Sequence, residues 1–135
     1  MNNKGFTLIE LIVTIVILSI VMSIGAYSII NIINATNEEN YESLIKNINS
    51  AVSSYALECK YANNSGITCN NPLKLGDLVT YGYLSGNGKN NQNNYTLVNP
   101  KDDKSIADCQ IKYTDNNGKI VVTAVNPTGS CPQAY

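Results

Sequence analysis

Four cysteines, ten acidic residues and no histidine are the reactive groups available to this 135-residue chain. Lacking histidine, it lacks the commonest general base and metal ligand, so catalysis would have to rest on carboxylates, thiols or hydroxyls. The closest approach to a carboxylate pair is Asp102 with Asp103, near Asp108 and Asn99, and no surrounding motif suggests a pocket or a bound substrate. These oxygens could be read as calcium ligands, but their spacing matches no calcium loop and adjacent acids in a turn are usually solvated. Zinc would be expected to use Cys-x-x-Cys pairs, whereas Cys59, Cys69, Cys109 and Cys131 are widely scattered. No catalytic residue, metal or cofactor is therefore expected. One acid stands apart from the rest: Glu10, at the start of a long apolar run.

From Leu11 to Asn37 there is no charged residue, and most positions from Phe6 to Ile33 are Ile, Leu, Val or Met. Such a stretch exceeds the roughly 20 apolar residues that span a bilayer. It also exceeds the apolar core of about 7–15 residues in a secretory signal and lacks the small-residue cleavage site that would follow one. An ionised carboxylate inside such a span costs about 2.5 kcal/mol or more, so a plain anchor would keep Glu10 outside it. Lys4 places the N-terminus on the cytoplasmic side by the positive-inside tendency. The formal net charge is −1 with no basic block, which argues against direct nucleic-acid binding.

Lys4, Gly5, Phe6, Thr7, Leu8, Ile9 and Glu10, followed by the apolar run, resemble the class III signal of type IV prepilins. The resemblance implies that a membrane-embedded prepilin peptidase cuts between Gly5 and Phe6 and that the new amine of Phe6 is methylated. It further implies that the Glu10 carboxylate pairs with the terminal ammonium of a neighbouring subunit during assembly, which would offset burial of its charge. Side chains such as Ile12, Ile15, Val16, Ile20 and Ile24 would sit first in lipid and then against sister helices in a filament core. Many type IV pilins carry a proline about two-thirds along this helix; here none precedes Pro72, and Gly25 is the candidate weak point.

Beyond Asn37 the apolar residues become periodic: Tyr41, Leu44, Ile45, Ile48, Val52, Tyr55, Ala56 and Cys59 recur at three- and four-residue spacing. The pattern predicts the amphipathic half of one long helix, ending near Tyr61. A loop over 63–72 follows, then a short helix ending near Gly82, in a run from Leu75 to Leu84 that resembles the docking segment of Gram-positive pilins and secretion pseudopilins. Residues 87–94 read as an exposed loop. Tyr95–Val98, Ile106–Thr114 and Lys119–Val125 read as strands, with Asn117-Gly118 as a hairpin turn between the last two. Ala107, Cys109, Ile111 and Tyr113 alternate with polar neighbours, so one face of the sheet should cover the helix.

The expected class is α+β, a long N-terminal helix packed on a small antiparallel head of type IV pilin-like fold. The expected division is a leader at 1–5, an apolar membrane and filament-core helix at 6–33, an amphipathic helix at 34–62 and the remaining head at 63–135. Export favours disulfides. Resemblance to the bridge bounding the C-terminal loop of many pilins favours Cys109 with Cys131, leaving Cys59 with Cys69, although four cysteines allow three pairings and Cys59 with Cys109 stays open. The implied partners are like subunits in a helical filament, prepilin peptidase, the pilus assembly platform and the cytoplasmic membrane, with the extracellular pilus as the final location. Adhesion, aggregation or surface motility would belong to the polymer. A pseudopilin of a secretion or DNA-uptake system and a membrane-anchored binding domain are the competing readings.

Overall fold

A computed structural model of the chain describes residues 5–61, 69–89, 94–125 and 127–135, and in the first helix the side chains other than those of 25–28. The predicted loops at 63–72 and 87–94 lie partly outside the described residues. Helix α1 spans Leu8–Tyr61, running through Gly25 without interruption. The rest comprises β1 (Leu73–Lys74), α2 (Leu75–Thr80), β2 (Gly88–Lys89), β3 (Tyr95–Thr96), β4 (Gln110–Asn116) and β5 (Lys119–Val125). The architecture is α+β, a long N-terminal helix followed by a small antiparallel sheet. The chain divides into two units, Met1–Thr36 and Asn37–Tyr135.

The first unit is apolar on every side of the helix, and its described large apolar side chains are exposed, from 84% at Phe6 down to 44% at Ile12. Described hydroxyls here bond back to the helix: Thr14 Oγ1 donates to the Leu11 carbonyl at 2.8 Å, Ser19 Oγ to Ile15 at 2.7 Å and Ser23 Oγ to Ser19 at 2.8 Å. A polar group bonded back to its own helix needs no water, which removes the main penalty for placing it in lipid. By length and composition the helix is able to cross a membrane.

In the second unit α1 buries one stripe, Leu44, Ile48, Ala51, Val52, Tyr55 and Ala56, as its three- and four-residue spacing requires. Leu73, Leu75, Leu78, Leu97, Ile106, Cys109, Ile111 and Val122 complete the core against it. Burying each of the larger side chains contributes about 1.5–3 kcal/mol, so this stripe fixes the helix on the sheet. Tyr55 is the centre of the upper core: its ring meets Tyr83 and Tyr113 edge-on at 5.6 and 5.9 Å and stacks on Tyr81 at 6.1 Å. Its hydroxyl accepts the Asn70 N–H at 2.8 Å.

The main sheet has the order β1-β4-β5, and β2 pairs separately with β3. Strands β4 and β5 are in register from Gln110↔Val125 to Asn116↔Lys119. The two residues between them, Asn117 at φ 53° and Gly118 at φ 88°, both take the left-handed region that a tight two-residue hairpin demands. Asp115 Oδ1 accepts the Gly118 N–H at 2.7 Å and steadies the turn.

The structure differs from the sequence expectation at three places, the first being Gly88–Lys89, which lie within the expected loop at 87–94 but form β2 against β3. The segment expected as a strand from Ile106 begins its ladder only at Gln110, because Ala107 and Asp108 form a turn. The Ile106 carbonyl accepts Cys109 N–H at 3.1 Å, a turn bond that a straight strand could not make, and the Ala107 carbonyl accepts Gly76 N–H at 2.8 Å. The burial phase shifts accordingly, with Ile106 buried and Ala107 only half-buried. The strand expected over Tyr95–Val98 is paired at Tyr95–Thr96, then by one bridge from Val98 to Ser105.

A capped N-terminal segment and a cross-linked head

The first turn of α1 is closed by a reciprocal pair. Thr7 N–H donates to Glu10 Oε2 at 3.1 Å, Thr7 Oγ1 donates to the same oxygen at 2.9 Å, and Glu10 N–H reaches Thr7 Oγ1 at 3.4 Å. This is a capping box: a threonine and a glutamate three residues on satisfy helix donors that have no carbonyl partner. The carboxylate also sits at the positive end of the helix dipole. Glu10 therefore has its charge neutralised in part by its own chain.

Gly5 and Phe6 precede this cap and lie outside the helix. Both are exposed, and a Cβ built on Gly5 would have nothing within 4 Å. The peptide between them is open on all sides that the structure describes. The sequence assigned Thr7 no task of its own; the Thr-x-x-Glu spacing ahead of an apolar run was the signal for its capping role.

In the head the structure joins Cys59 to Cys69 and Cys109 to Cys131, with Cα–Cα distances of 5.8 and 5.6 Å. The first ties the end of α1 to the loop leaving it, and the second ties the C-terminal tail to the residue before β4. Closing loops of this size stabilises a small domain by about 2–4 kcal/mol each.

The acidic residues are dispersed among different partners. Asp108 pairs with Lys74 at 3.1 Å, Asp102 accepts the Ser130 hydroxyl, and Asn99 is buried with its side chain bridging Ser130 and Lys101. That serine hydrogen bond holds the Asp102 carboxyl below its usual range. Among the described residues no three His, Cys, Asp or Glu side chains gather as a metal site. Lys101 bridges loop and helix, donating to Glu38 at 2.8 Å with its ammonium 4.1 Å from the centre of the Tyr41 ring.

Residues 1–26 match the family model described as the prokaryotic N-terminal methylation motif. The chain carries the type IV prepilin-like signature. Comparison with curated proteins and with solved structures gave no match. The prepilin-like signature, on a chain with an exposed apolar helix and a cross-linked head, supports a type IV pilin-like or pseudopilin protein. The matched motif implies processing by prepilin peptidase and assembly into filaments in general terms. The apolar helix is consistent with anchoring in the membrane before assembly.

Proposed function

We propose that this chain is the structural subunit of a type IV pilus, made as a precursor whose leader, residues 1–5, is removed between Gly5 and Phe6. The Phe6 amine is then methylated. Residues 6–33 hold the subunit in the cytoplasmic membrane with its N-terminus inside, and the assembly platform transfers that helix into an extracellular filament of like subunits. Residues 34–62 and 63–135 form the head that the filament displays, and adhesion, aggregation or surface motility are properties of the polymer.

The observation that carries this reading is the exposed apolar surface of α1 with a capped Glu10 in its first turn. Side chains such as Leu8, Ile9, Ile20 and Ile24 are more than half exposed and are stable in neither the folded monomer nor water. Lipid covers them first, sister helices afterwards. In the second setting the Phe6 ammonium of a neighbour replaces the Thr7 donors at Glu10, an ion pair of the kind that makes a buried carboxylate tolerable.

N-terminal sequencing and intact mass of the mature protein test this reading. The expected product begins at methylated Phe6; an uncut Met1 or a different cut overturns it. Imaging of surface filaments with an antibody to the head decides the form of the polymer. Long extracellular filaments containing the chain are expected, whereas assemblies confined to the cell envelope would assign it to a pseudopilin.

A further inference from the structure

Strand β5 is an edge strand: it pairs with β4 on one side, and among the described residues no segment pairs with its other side. Among the described residues no backbone hydrogen bond outside the ladder reaches Lys119–Val125 either. The following tail does not run along this edge. Its Cys131 is bonded to Cys109 at the start of β4, Ser130 meets Asp102, and the Ser130 carbonyl accepts from Asn99. The tail is thereby drawn across the end of β4, away from the open side.

Exposed edges are ordinarily blunted by proline, a bulge, an inward charge or shortness. This one has none of these within its length. Its sequence, Lys-Ile-Val-Val-Thr-Ala-Val, is seven residues without proline or glycine, mostly β-branched, with its single charge at one end. That composition is the signature of a strand that pairs with copies of itself.

The strand is also self-complementary. In an antiparallel pair of two β5 strands centred on Val122, Lys119 faces Val125, Ile120 faces Ala124 and Val121 faces Thr123. No like charges oppose each other, and the two lysines lie at opposite ends. The core-side residues Ile120, Val122 and Ala124 continue from one copy to the next, joining two three-stranded sheets into one.

We infer that the outer edge of β5 is a docking site for β5 of a second copy of this chain, and that this edge-to-edge pairing bundles filaments. A two-fold contact closes on itself and cannot repeat along a polar helical filament, so it links subunits of separate filaments. The affinity of one pair is low, but a row of them along two filaments acts together. The bundling step rests on the pilus reading above; the pairing itself does not.

Two substitutions test it. Val121 lies on the sheet face with Lys119 and Thr123, diagonal to Val121 of the partner, so Val121→Lys and Val121→Glu each bring like charges together. Purified unsubstituted filaments form lateral bundles in negative-stain images; each variant assembles filaments that stay single, and mixing the two restores bundles. Unsubstituted filaments that stay single, variants that bundle unchanged, or a mixture that stays dispersed while circular dichroism reports folded heads would each overturn the proposal. If no filament forms, the pilus reading fails, and sedimentation of the detergent-solubilised full-length chain decides the pairing alone. At high chain concentration, where even a weak pair forms, a dimer lost in each variant and regained on mixing supports it; an unsubstituted chain that stays monomeric at that concentration overturns it.

Discussion

Thr7 and Glu10 hold each other at the start of α1, the threonine N–H and hydroxyl both donating to one carboxylate oxygen while the glutamate N–H points back at the hydroxyl. Glu10 caps its own helix, and the proposed function gives its charge a second task in assembly; two substitutions separate the two. Thr7→Val removes the hydroxyl part of the cap and leaves the backbone N–H and the charge, costing about 1 kcal/mol of helix stability. Faster hydrogen exchange confined to the amides of Leu8–Leu11 in lipid bilayers is the expected result. Glu10→Gln keeps a side chain able to accept the same bonds but discards the charge. Cleavage before Phe6 is expected to persist while filament yield falls, and undiminished yield would remove the ion-pairing role.

Tyr83 gives the head an alkaline limit. Burial, followed by its hydrogen bond to the Glu58 carboxylate, pushes its pKa up from 10.0 to about 12, and burial also raises those of Tyr55 and Tyr113. In the unfolded chain these phenols ionise near 10, so unfolding releases protons above that pH. The stabilisation is whole below pH 10 and is lost as pH rises through about 12. Phenolate absorbance should therefore rise together with loss of tertiary structure, and Tyr83→Phe should move that loss to higher pH.

Asp115 sets an opposite dependence at low pH. Its carboxylate accepts from Lys60 and from the Gly118 N–H, and these bonds, the lysine's first, hold its pKa below the ordinary value. A depressed carboxylate stabilises the fold above the unfolded pKa of about 3.9, and the effect is lost as pH falls through the folded value. Asp102 behaves alike through Ser130. Asp115→Asn should flatten the acid side of a stability–pH curve measured by urea denaturation, and added salt should reduce the difference because the pair is exposed.

Replacing Cys109 and Cys131 together by alanine frees the tail while leaving Cys59–Cys69 intact. The expected loss is about 2–4 kcal/mol, read as a lower denaturation midpoint of the oxidised protein. Protection from proteolysis should fall first in residues 127–135, since Ser130 then keeps only its bonds to Asn99 and Asp102.

How much of this was legible depended on whether a residue's partner lay within its own period. The uncharged run through Ile33 and the stripe Leu44, Ile48, Val52, Tyr55 are local patterns, and so is Asn117-Gly118; each shows in the chain itself. Strands β1 and β2 are two residues long, too short for any period to register. The alternation through Ala107 imitated a strand, whereas the turn at Ala107 and Asp108 puts Ile106 in the core instead. Lys101 finds Glu38 across 63 residues, and nothing near either side chain encodes that meeting. At the N-terminus, Gly5, Phe6 and Glu10 stood out by type and order, while Thr7 was readable only through its spacing to Glu10.

Asn87 is the plainest case of a partner that sequence conceals, because its side chain stands in for a strand. Its Nδ2 donates to the Val98 carbonyl and its Oδ1 accepts the Val98 N–H, both at 2.7 Å, just where the β2–β3 pairing ends. An amide is the one side chain that reproduces a peptide's donor and acceptor together. Asn87→Asp keeps the acceptor but sets a carboxylate against a carbonyl, whereas Asn87→Gln keeps both groups on a longer stem. Loss of about 1 kcal/mol per bond is expected for Asn87→Asp, with less for Asn87→Gln. Amide exchange at Val98 checks the assignment directly. It should quicken in Asn87→Ala, which removes the acceptor, and stay slow in Asn87→Asp, which retains it; equal rates in the two variants would show that the side-chain bond does not protect that amide.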